Sequence, residues 1–173
     1  QKDKNQPKIE EVFEKNHYKK NYEDWVKFFS LNLKDIWNEP SAKNLDPSND
    51  SSYDLKKHSA IVIGAGPSIK KYNHLELLAN SDYQGAIVCT DRSLVPALKA
   101  GVTPDKFSNF TVLTIDPAEI LKKFYDDEIV RKYGSKINGI FSTVIHPDTV
   151  DKARNAGIKI HWLHSLFDFN EGK

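Results

Sequence analysis

"SAIVIGAGPSI", residues 59 to 69, is the stretch on which the fold turns. Ala60-Ile61-Val62-Ile63 is an unbroken apolar run, three of its residues β-branched, and it meets Gly64-Ala65-Gly66-Pro67-Ser68. An apolar run without polar alternation predicts a strand buried on both faces, as in a parallel sheet. Glycines let backbone approach a ligand closely, and proline at a first helical position presets φ. The stretch therefore reads as strand, turn, helix. The turn has two readings at this point: it cradles a phosphate, or it only leaves the strand tightly.

The same grammar repeats downstream. "GAIVCTD" (85–91), "FTVLTID" (110–116), "GIFSTVIH" (139–146) and "IKIHWLH" (158–164) are further apolar strands. Between them, "PSIKKYNHLELLANS" (67–81), "SLVPALKAG" (93–101), "PAEILKKFYDDEIVRKYG" (117–134) and "PDTVDKARNAG" (147–157) read as helices. Pro96 is tolerable near a first turn, and Gly157 is a C-cap. Strand and helix in alternation, with short joints, predict an α/β fold. It is a Rossmann-like three-layer α/β/α domain with a mainly parallel sheet and helices on both faces. Residues 8–37 precede it as a helical segment, with aromatics such as Trp25–Phe29 and Leu33–Trp37 at helical spacing. That segment reads as packing against the main domain. Residues 38–58, rich in Asn, Asp, Ser and Pro, read as a loop or linker. The division is 1–57 for the helical segment and linker, and 58–173 for the nucleotide-binding domain.

Bulk properties exclude several classes. With 173 residues the chain suits one domain with a small appendage. A formal net charge of +1 offers no field to recruit nucleic acid or a membrane surface. The single cysteine, Cys89, excludes an internal disulfide and sits in an apolar run as a core residue. No window holds the ~18 apolar residues of a membrane span, and no signal peptide is visible, so a cytoplasmic home is expected. The chain starts at Gln1, contains no methionine, and stops at "FDFNEGK" just past a strand, so a C-terminally incomplete domain is expected.

Three junctions, Gly66-Pro67, Asp116-Pro117 and His146-Pro147, each end a strand and open a helix. In open α/β sheets ligands bind at the carboxyl ends of the strands. Gly64, Gly66 and Ser68 are therefore candidates for phosphate, although Ile69 stands where the dinucleotide fingerprint has its third glycine. Asp91, followed by Ser93, ends the second strand and either accepts from ribose hydroxyls or caps the next helix. Asp105 in "GVTPD" is a turn residue or a ligand, and Asp116 an N-cap or a ligand. Asp91, Asp105 and Asp116 on one rim would suit magnesium beside phosphates, because Mg²⁺ takes one or two carboxylates plus phosphate oxygens and water. His146 is a donor, an acid, or a satisfied structural histidine. His161 and His164, three apart in a strand, face opposite sides and do not share a metal.

"AIVIGAGPSI", "IVCTDRSLVPALKAGVTPD", "TVLTIDP" and "HPDTVDKARNAGIKIHW" together resemble the archaeal-type 6-hydroxymethyl-7,8-dihydropterin pyrophosphokinase family. That family shares its central domain with flagellin-modifying motility accessory proteins, and the resemblance spans residues 58–168. It implies transfer of diphosphate from Mg-ATP to the hydroxymethyl group of a reduced pterin, in tetrahydromethanopterin- or folate-type cofactor synthesis. Carried over, Gly64, Gly66 and Ser68 match the glycine-rich loop, Asp91 and Ser93 the segment after the second strand. Asp105 matches the Pro-Asp and Asp116 the Thr-x-Asp. In the reading this leads to, Asp105 and Asp116 hold magnesium, and a carboxylate such as Asp116, or His146, assists the attacking hydroxyl. The chain departs from the family at Pro117-Ala118 and ends before its Gly-Gly-Asn-containing segment. The rival readings are a nucleotide-sugar-dependent glycosyltransferase of the motility accessory type and a non-catalytic nucleotide-binding module. Small-molecule partners are expected, and a homo-oligomer is left open.

Overall fold

A computed structural model describes residues 9–45 and 59–164, with side chains in the first helix from residue 22 onward. The boundary expected at residue 57, most of the expected linker and the "FDFNEGK" end lie outside the described residues. The chain enters through α1 (Ile9–Asn38) and a 3₁₀ turn at Ala42–Leu45. It then builds β1 (Ala60–Ile63), α2 (Ser68–Lys71), α3 (His74–Ala79), β2 (Ala86–Thr90) and α4 (Asp91–Lys99). β3 (Phe110–Thr114), a 3₁₀ turn at Glu119–Phe124, α5 (Glu128–Tyr133), β4 (Asn138–Ser142), α6 (Pro147–Asn155) and β5 (Lys159–Leu163) complete it.

The five strands form one sheet in the order β1-β2-β3-β4-β5, and every neighbouring pair is parallel. The fold class is as the apolar runs predict: α/β, Rossmann-like, wholly parallel, with α1 as the helical entry. Crossovers between parallel strands are right-handed, so a sheet wound in sequence order keeps its connections on one side. The register shows which side. Ile63, Cys89 and Val112 share one row of the pleat. With Ile87, Phe110 and Phe141 they are at most 6% exposed, and they join Leu94, Leu98, Val130, Val150 and Ala153 in one core.

The opposite face is covered unequally. At its β4–β5 end, Phe29 and Ile36 of α1 and the Ala42–Leu45 turn oppose Ile140 and Leu163 across a groove of about 940 Å³. At the β1 edge, Val62 is 69% exposed. Alternation of burial along β1 and β2, with Ile63, Ile87 and Cys89 buried and Val62 and Val88 less so, follows from this one-sided winding.

Several element boundaries differ from the periodic reading. The helix expected over 67–81 is two, because Asn73 adopts φ 51°, a left-handed conformation that Asn tolerates. The helix expected over 117–134 is a 3₁₀ turn followed by α5. Asp127 restarts it as N-cap, its carboxylate accepting from the Ile129 N–H at 3.0 Å. Pro96 lies in the second turn of α4, not its first, on an exposed side of the helix. Of the three Pro junctions, only Pro147 begins a full helix. Strand β4 ends at Ser142, so His146 follows a turn rather than the strand.

α1 turns one face to the domain. Trp25 and Phe28 are buried, and Asn32, 2% exposed, follows one turn later. The Asn32 Nδ2 donates to the Ile145 carbonyl at 2.8 Å and the Thr143 carbonyl at 3.3 Å. Further along, Arg154 of α6 donates to Asp35 and Glu39, and Glu39 also accepts from the Trp162 indole at 2.9 Å. The expected packing role therefore holds for this face, while Trp37 is 87% exposed on another.

Candidate functional site

Because all five strands are parallel, the segments that follow them share one rim. Ser93 fixes the first part of it. Its hydroxyl, 1% exposed, donates to the Ile63 carbonyl at 2.5 Å, tying the last residue of β1 to the start of α4. The Thr90 carbonyl and hydroxyl lie within 3.1 Å of the same oxygen. Ser93 thus spends its one proton inside the protein, and the expectation that it touches a ligand becomes a positioning role for the loop after β1.

That loop is Gly64–Ser68, exposed throughout. Glycine there has no explanation within the chain. A Cβ built on Gly64 meets nothing within 4 Å, and one on Gly66 meets only the Ser68 hydroxyl at 3.8 Å. Neither residue has positive φ. The other described glycines each have a reason: side chains at 85, 134 and 139 would collide with neighbours, and 101 and 157 have φ 91°. A side chain at Gly64 would face open space. A hollow of about 510 Å³ runs beside it, lined by Gly64, Gly66, Ser68, Ile69 and His74 among others.

Asp91 is the first residue of α4 and is 8% exposed. Burial pushes its carboxyl above the usual range, against the pull of the Arg92 N–H, which donates to Oδ1 at 2.6 Å, and of the Arg92 charge; the nearby Asp116 carboxylate pushes it further up. Asp91 and Asp116 thus follow neighbouring strands on the rim that also carries the glycine loop. Asp116 is exposed, and its Oδ1 accepts from the Ala118 N–H at 2.9 Å. The expected N-cap is not formed: the next helical turn begins at Glu119 with Ala118 as its N-cap, and Asp116 closes the turn before it. Beneath the rim, the fully buried Tyr125 hydroxyl is hydrogen-bonded to Thr114, with its pKa raised by burial and, more weakly, by Asp91. Cys89 is an inert core thiol, pushed up to about 12 by burial.

Asp105 is not on this rim. It lies in the turn after α4, before β3 begins at Phe110, and pairs with Lys136 at 2.5 Å, just before β4 begins. This is the amino end of the sheet, at least the length of β3, ~13 Å, from Asp116. Asp105 and Asp116 cannot share an ion. A crossover helix returns the chain to the amino ends, so the loop after a helix always lands there.

His146 belongs to a second cluster on the rim. As N-cap of α6, its Nδ1 accepts from the Asp148 N–H at 3.2 Å, which puts the proton of the neutral ring on Nε2 and makes it a donor. Its ring meets Phe28 of α1 edge-on at 4.7 Å. Ligand atoms of Glu119, His146 and Asp148 lie within 4.8 Å of one another. Lys122 bridges Glu119 at 2.6 Å and Asp148 at 3.2 Å, so an ammonium already holds this pair. Sequence reasoning missed Glu119, Lys122 and Asp148. The i,i+3 pair Glu119/Lys122 was a readable signal, but its meeting with α6 was not. From β1 to β4 is three strand spacings, ~14 Å, so the rim carries two clusters side by side.

Residues 28–171 match the family model described as 6-hydroxymethylpterin diphosphokinase MptE-like. No curated protein and no solved structure matches the chain. The matched span runs from Phe28 of α1 through β5 and takes in the glycine loop, Asp91, Asp116 and the His146 cluster alike: the chain belongs to the MptE-like family.

Proposed function

We propose that the protein transfers diphosphate from Mg-ATP to the hydroxymethyl group of a reduced pterin. The observation that carries this reading is the unexplained pair of glycines, Gly64 and Gly66, beside Asp91 and Asp116. In this reading the loop backbone and the Ser68 hydroxyl hold phosphates, and Asp91 and Asp116 hold the divalent cation, a role the position of Asp105 denies it. When bound there, a divalent cation would neutralise phosphate charge. Ser93 keeps the loop at its height above the sheet. The Nε2–H of His146 donates to an oxygen of the transferred group or of the acceptor, from the adjacent cluster. The acceptor hydroxyl gives up its proton to a nearby carboxylate as its oxygen bonds to the β-phosphorus, the α–β bridge breaks, and the bridging oxygen leaves with AMP. Such a transfer asks the protein for positioning and charge neutralisation more than covalent chemistry. Family membership supports the pterin acceptor. No described helix is long and apolar enough to cross a membrane.

The test is incubation with Mg-ATP and 6-hydroxymethyl-7,8-dihydropterin, read by phosphorus NMR and product mass. AMP together with the pterin diphosphate supports the reading. ADP, or Mg-ATP bound without turnover of this acceptor, counts against it and directs the search to nucleotide-sugar donors.

A further inference from the structure

α1 carries an apolar stripe that the domain does not cover. Tyr22 is 57%, Val26 44%, Leu33 50% and Trp37 87% exposed. At 3.6 residues per turn the four fall within about 60° of arc, roughly 120° from the face that carries Trp25, Phe28 and Asn32. A single exposed apolar residue needs no explanation, but four in line over four turns do. The spacing of this stripe is its own mirror. About a midpoint between Phe29 and Ser30, Tyr22 reflects onto Trp37 and Val26 onto Leu33.

We infer that α1 pairs with α1 of a second copy of this chain, antiparallel, about a two-fold axis passing beside Ser30. Self-complementarity of this kind is what an isologous two-fold interface demands. Tyr22 then meets Trp37 of the second copy, and Val26 meets Leu33. The axis keeps the solvent flank of each helix beside the solvent flank of the other, and sets Glu23 within ~3 Å, along the helix axis, of Lys34 in the second copy; Lys27 falls equally near that lysine along the axis but points further from the contact. Glu23 and Lys34 take part in none of the ion pairs among the described residues. The domains lie away from the contact on both copies, because the stripe and the domain-facing side of α1 point in different directions. The stripe buries on the order of 400 Å² per copy, about half of a standard interface, so a weak dimer that forms only at high protein concentration is expected.

The experiment is sedimentation of the whole chain over a concentration series, combined with cysteine cross-linking. The only native cysteine is buried Cys89, so engineered thiols report alone. Ser30→Cys is expected to form a disulfide-linked dimer, since its Cα stands ~6 Å from its own mate at a normal interhelical distance. Val26→Cys is expected not to, since its mate is ~10 Å away along the axis. Trp37→Glu should weaken dimerisation at least ~10-fold with an unchanged circular dichroism spectrum. Glu23→Lys should weaken it, and addition of Lys34→Glu should restore it. A monomer at all concentrations overturns the proposal. So does a dimer in which Val26→Cys cross-links as readily as Ser30→Cys, or one indifferent to Trp37→Glu.

Discussion

Asn32→Ala is expected to destabilise the protein by ~2–3 kcal/mol, although Asn32 lies outside the sheet domain. The figure follows from its two hydrogen bonds. The 2.8 Å bond to the Ile145 carbonyl is of full strength and the 3.3 Å bond to the Thr143 carbonyl weaker. Together they are worth ~1.5 kcal/mol net, and leaving buried carbonyls without a donor adds ~1 kcal/mol or more. For a chain of 173 residues this lowers Tm by roughly 5–10 °C. Thermal and urea unfolding by circular dichroism measure it. Asn32→Asp sharpens the test, because it keeps the shape but turns an acceptor toward two carbonyls. That variant should be at least as unstable at neutral pH and recover in acid, where a carboxyl proton restores a donor. The acid form is the one the fold favours, so the carboxyl's folded pKa is raised and its stability is lost as pH rises through it. A change under ~0.5 kcal/mol in Asn32→Ala, or a drop in m-value showing that α1 was already detached, refutes the idea that Asn32 clamps the loop before His146.

Asp91→Asn should raise Tm at neutral pH while abolishing magnesium-dependent nucleotide binding. Burial raises the native carboxyl's pKa, so its charge opposes folding above that pKa, and the gain should vanish in acid where both forms are neutral. Asp116→Asn should keep the acceptor for the Ala118 N–H and change stability by under ~1 kcal/mol, yet lose cation-dependent binding in calorimetry. Asp105→Ala should leave nucleotide and magnesium binding intact and cost at most ~1 kcal/mol in thermal unfolding, as an exposed ion pair does.

What the sequence made legible was whatever a local pattern controls. The unbroken apolar runs at 60–63, 86–90 and 110–114 became strands, and their parallel pairing followed from the helical patterns between them. Breaks inside those helices were harder to read. Asn73 in a left-handed turn and Asp127 as a restarting cap are single residues whose conformation tertiary packing selects. Placing Asp105 beside Asp116 went wrong although counting elements would have corrected it, since a loop after a helix returns to the amino rim. Asn32 reaching Ile145, and Lys122 reaching Asp148, were not legible at all. Each joins segments far apart in sequence, and no local pattern encodes such a meeting.

The central claim is that the space above Gly64 belongs to a nucleotide phosphate, and Gly64→Ala measures it most directly. The new methyl meets nothing within 4 Å and the backbone there does not require glycine, so the folded protein should tolerate it. Stability should hold or rise by ~0.5 kcal/mol, through a less flexible unfolded chain. Titration calorimetry with Mg-ATP should then show binding weakened at least ~10-fold in a protein that melts no earlier than the parent. Unchanged Mg-ATP affinity in Gly64→Ala would contradict the account, because it would leave the loop as a way out of a strand and nothing more.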